Sequence, residues 1–110
     1  MIDKNEFNKV LAERKRIADE TQDNWDYGIE QCHEKFLSMI TSNLEEGIAF
    51  LENECGAEAI YWISEIFDEI AAMTQSKEFI AAIHRIYDKM PEDIKKSMEI
   101  DIQSAEQAMN

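Results

Sequence analysis

Between Phe36 and Ser76 the sequence contains neither lysine nor arginine. Eight carboxylates fall in those same residues: Glu45, Glu46, Glu52, Glu54, Glu58, Glu65, Asp68 and Glu69. The formal net charge of −13 is therefore concentrated in the middle of the chain. Such a field repels nucleic acid and anionic membrane and attracts basic proteins. Three glycines and one proline are too few for the many tight turns of an all-β fold. No apolar run approaches the ~20 residues that span a bilayer. The opening "MIDKNEFNKV" has no apolar signal segment, so a cytoplasmic location is expected.

Enzyme signatures are missing too. There is no glycine-rich phosphate loop, no Cys-x-x-Cys and no G-x-S-x-G. "EQCH" sets Glu30 and His33 three residues apart, the spacing of carboxylate-bridged metal bundles. The only other histidine, His84, has Ala81 three positions before it, so the second half of such a site is missing. His33 lies within the apolar stripe of its segment and is expected to be a satisfied, half-buried histidine. No catalytic residue, metal or cofactor is expected. Cys32 and Cys55 suit a reducing compartment and are read as small buried hydrophobes with free thiols.

What the chain does contain is helical periodicity and 45% apolar residues, enough for a packed core in 110 residues. Asp3 is placed to cap a first helix, with Glu6 completing a capping box. Phe7, Val10, Leu11, Arg14 and Ile17 follow on one side. A second helix runs from about Asp26 to Ile40, with Ile29, Cys32, His33, Phe36, Leu37 and Ile40 on one stripe. Ser42 with Glu45 signals a third, ending at Gly56. Gly47 inside it costs about 1 kcal/mol relative to alanine, and a close helix crossing is one reason for it to be there. A fourth covers about Ala57 to Met73. Ser76 caps a fifth and Pro91 opens a sixth. Short connections predict an all-α fold, one compact antiparallel bundle of five to six helices over residues 1–110.

Turned at about 100° per residue, the fourth helix gathers Ile60, Ile63, Phe67 and Ile70 on one half. Glu58, Glu65 and Glu69 fall opposite, with Asp68 beside them and Tyr61 in the middle of the polar arc. Trp62 sits at the border, where core packing competes with a place in the surface. Exposed aromatics among carboxylates are how a protein-binding hot spot is built, the ring supplying area and the charges steering encounter. The expected partner-binding set is Glu45, Glu46, Glu54, Glu58, Tyr61, Trp62, Glu65, Asp68 and Glu69.

The run "YWISEIFDEIAAMTQSKEFIAAIHRIYDKMPEDI", followed by "DIQSAEQAM", resembles small helical immunity proteins of bacterial polymorphic-toxin systems, of the contact-dependent inhibition and neisserial Maf types. The likeness spans roughly residues 44 to 108. It implies a protein without activity of its own that neutralises one cognate toxin, often a nuclease, as a monomer in a one-to-one complex. An RNase of the EndoU type is the first expectation for the partner, since such an enzyme presents basic surface to RNA. An acidic adaptor or secretion chaperone with a basic client is the competing reading.

Overall fold

The computed structural model describes residues 2–110; the expected domain of 1–110 includes Met1, which lies outside the described residues. Helices α1 (Lys4–Thr21), α2 (Asp26–Thr41) and α3 (Leu44–Asn53) are followed by α4 (Ala57–Ile63) and α5 (Phe67–Thr74), joined through a single 3-10 turn over Ser64–Ile66. Helices α6 (Lys77–Asp88) and α7 (Glu92–Gln107) complete an all-α bundle. No strand occurs among the described residues.

The helix starts follow local capping chemistry. Asp3 Oδ1 accepts from the amides of Asn5 and Glu6 at 2.9 and 3.2 Å, but Glu6 makes no return bond, so the capping box is half built. Ser76 caps α6 by accepting from the Phe79 amide at 3.0 Å. At α3 the expected cap moves by one residue. Asn43, in extended backbone, accepts from the Glu46 amide at 3.2 Å, and Ser42 remains on the end of α2. Gly56 does not stop α3, which ends at Asn53 with Glu54 as its C-cap. Its φ of −82° is open to any residue, and it precedes α4 instead.

The apolar stripes meet in one continuous core. Phe7, Phe36, Phe67 and Phe79 are almost completely enclosed, with Ile40, Ile60, Ile63, Ile66, Ile70 and Ile83 around them. Phe7 packs against both Phe36 and Phe50, and Phe67 meets Phe79 edge to face at 5.8 Å. Helix α5 packs most extensively on α7, and α3 reaches α6. Gly47 marks the close crossing expected of it: a Cβ there would lie 2.3 Å from the carbonyl oxygen of Ile40.

The expected continuous fourth helix is broken. Ser64, buried, donates its hydroxyl to the Tyr61 carbonyl at 2.7 Å. That bond competes for an acceptor of the α-helical ladder and accompanies the tighter turn. A 3-10 turn advances about 20° more per residue than an α-helix. The face read from a uniform wheel therefore shifts after Ile63, and Ile66, which the wheel already puts beside the apolar half, is fully buried.

Candidate functional site

Helix α1 supplies most of the bases that the 36–76 segment lacks, with His33 from α2 and Arg85 from α6. Arg14 lies on the apolar side of α1 and is only 3% exposed. Its Nε and Nη2 donate to the two carboxylate oxygens of Glu65 at 2.9 and 2.7 Å, and Nη1 donates to Asp23 at 2.7 Å. His33 Nε2 donates to Glu65 Oε2 at 2.8 Å. The guanidinium also stacks over the Trp62 ring, 4.9 Å from its centroid. This two-pronged geometry is the strong form of a charged hydrogen bond.

Electrostatics follow from that geometry. Burial alone would raise the Glu65 carboxyl, but hydrogen bonds from His33 and Arg14 and their positive charge overcome it and hold Glu65 below the usual range. Burial likewise opposes charge on Arg14, yet Glu65 and Asp23 raise it further above its ordinary value. Across the 3-10 turn, burial pushes the Asp101 carboxyl of α7 up. The Ser64 hydroxyl partly counters this, while the charges of Glu65 and Asp68 add to it. Burial also pushes the Cys55 thiol up to about 12, with Glu54 adding to the shift. Cys32 and Cys55 are both free thiols.

The structure therefore redistributes the expected surface. Glu65 is not a free carboxylate on an outer face: it is half-buried and serves as the counter-ion of a buried arginine. The tertiary approach of Arg14 from α1 and His33 from α2 accounts for the difference. Glu58 pairs with Lys15 and Glu54 with Lys4. Glu52, outside the expected set, accepts from Arg85 at 2.5 and 3.0 Å. Four carboxylates of the base-free segment are thus matched by bases from α1 and α6. Trp62 is half-buried under Arg14, with an edge-on contact to Tyr61 at 5.1 Å. Tyr61 is 39% exposed. Asp68 and Glu69 are exposed on α5 and form no ion pair among the described residues. Glu45 and Glu46 are exposed in the first turn of α3, where negative charge favours the helix.

The nine residues thus fall in two regions: Glu45, Glu46 and Glu54 on and just after α3, where Glu46 and Glu54 line one cleft, and Glu58, Tyr61, Trp62, Glu65, Asp68 and Glu69 along α4, the 3-10 turn and α5. Helical spacing alone gives Arg14 no role. A base on an apolar stripe requires a buried acid partner, and that requirement was its signal. Glu30 is exposed while His33 faces Glu65. No group of three or more His, Cys, Asp or Glu among the described residues is arranged to hold a metal. No helix among them is long and apolar enough to cross a membrane.

These features define an all-α bundle with an acidic edge carrying a partly exposed tyrosine. No family model, curated protein or solved structure matches the chain.

Proposed function

We propose that this chain is a small immunity protein that binds and neutralises a cognate bacterial toxin with a basic surface, a nuclease of the RNase class in first place. The observation that carries the reading is the α4–α5 edge. There Tyr61 is partly exposed, and Asp68 and Glu69 have no ionic partner among the described residues, while Glu52, Glu54, Glu58 and Glu65 are matched. An aromatic ring held by Trp62 offers contact area at small entropic cost, and the free carboxylates steer a basic partner. The Arg14–Glu65–His33 network beneath fixes the ring-bearing segment, so little ordering is left for binding. The resemblance over residues 44 to 108 suggests the same kind of protein and assigns no contact residue. In this reading the protein is cytoplasmic, monomeric when free, and paired one to one with its toxin.

The test is affinity capture from the native host at low and moderate salt, followed by co-expression of the captured domain. One basic domain, released as salt rises and harmless only when this chain is present, is the expected result. Capture of several unrelated clients, or of a domain whose toxicity persists, would favour the adaptor or chaperone reading instead.

A further inference from the structure

A second base-free acidic stretch lies between Ile17 and Glu34, with six carboxylates and neither lysine nor arginine. It forms the corner between α1 and α2, where two large aromatics face outward. Trp25 is 44% exposed and Tyr27 64% exposed, their ring centroids 6.3 Å apart. Trp25 is held in place: its ring lies so close over Gly28 that a Cβ there would meet it at 2.2 Å. Asp26, next to both rings in sequence, and Glu30, three residues after Tyr27 on α2, are exposed and form no ion pair among the described residues. Gln22 and Asp23 both adopt left-handed backbone, with φ of 50° and 63°, and Asp23 is held on Arg14 at 2.7 Å.

The molecule already contains one completed version of this chemistry. Arg14 lies on the Trp62 ring with carboxylates of Glu65 and Asp23 on its nitrogens. The corner repeats the combination of aromatic ring and carboxylate on the outside, with no cation over the rings among the described residues. Guanidinium groups stack on aromatic rings and bond carboxylates at once, which ammonium groups do less well. We infer that the Trp25–Tyr27 corner is a docking surface for an arginine-bearing segment of a protein partner. This deepens the proposal of a basic partner and rests on it for the partner's class, while the ring-and-carboxylate chemistry stands on the corner itself.

The test uses the full chain and fluorescent hexa-arginine and hexa-lysine peptides at low salt, read by anisotropy. The double variant W25A/Y27A keeps the net charge, so general attraction to a polycation is unchanged. It should bind hexa-arginine about ten-fold more weakly and hexa-lysine nearly as before. Because removing the indole uncovers Gly28, the single variant Tyr27→Ser, which also keeps the net charge, is measured alongside. Its ring is mostly solvent-exposed, and it should show the same selective loss. Unchanged hexa-arginine affinity in both variants would overturn the corner. A Y61A/D68N/E69N variant separates the two surfaces. Loss there with none at the corner sinks this inference and leaves the α4–α5 proposal standing. A selective loss at the corner supports the inference even where host capture finds no basic partner.

Discussion

Arg14 and Glu65, 51 positions apart, form a two-pronged ion pair that joins α1 to the 3-10 turn between α4 and α5. His33 bonds the same carboxylate from α2. The pair therefore ties three parts of the bundle together at the base of the candidate surface, and one of its members is a carboxylate that a helical wheel puts in solvent.

Removing one member of a buried pair leaves an uncompensated charge behind. Glu65→Ala should lower unfolding free energy by about 2–3 kcal/mol. Glu58→Ala, which breaks only an exposed pair with Lys15, should cost under about 0.5 kcal/mol. Urea denaturation of both variants checks this, and equal losses would contradict the structural role of Glu65.

Acid should act through Glu65. Its carboxyl is held below the ordinary value of 4.5, so its contribution is present above that value and lost as pH falls through the lower folded one. The stability of Glu65→Gln should accordingly fall less steeply below about pH 4.5 than that of the wild type. Thermal melts from neutral to acid pH decide it, and parallel curves would be the wrong outcome.

Asp101 has the opposite sign. Its folded carboxyl is raised above 3.8, mainly by burial, so its favourable contribution exists at low pH and is lost as pH rises through the folded value. Asp101→Asn removes that penalty and preserves a partner for the Ser64 hydroxyl. The variant should melt about 3 °C higher near pH 7 and gain nothing near pH 3. A gain of the same size at both would rule out ionisation as its cause.

Much of the bundle could be read from spacing alone. Caps at Asp3 and Ser76, the stripes of α1, α2, α6 and α7, and the tight crossing at Gly47 follow from short-range chemistry. The break at Ser64 does not, because serine there acts by a hydroxyl bond that no periodicity displays. The roles of Glu54, Glu58 and Glu65 depend on bases 43 or more residues away in sequence, which only the tertiary arrangement brings near. Trp25 and Tyr27 carry no signal in the helical spacing, and their exposure depends on how the α1–α2 corner turns.

Gly47 provides a check on packing. In an isolated helix alanine would be the better residue. Here Gly47→Ala should destabilise by about 2 kcal/mol, since its methyl would strike the Ile40 carbonyl and force α2 and α3 apart. Chemical denaturation showing a gain instead would mean the two helices separate at little cost.

The most direct measurement of the central claim is calorimetric titration of the captured basic domain into wild-type protein and Y61A/D68K/E69K, at two salt concentrations. The account predicts one-to-one binding by the wild type, weakened by salt. The triple variant should lose more than about 2 kcal/mol of affinity with its melting temperature nearly unchanged. Equal affinity of the two proteins at both salts would place the contact elsewhere and contradict the account.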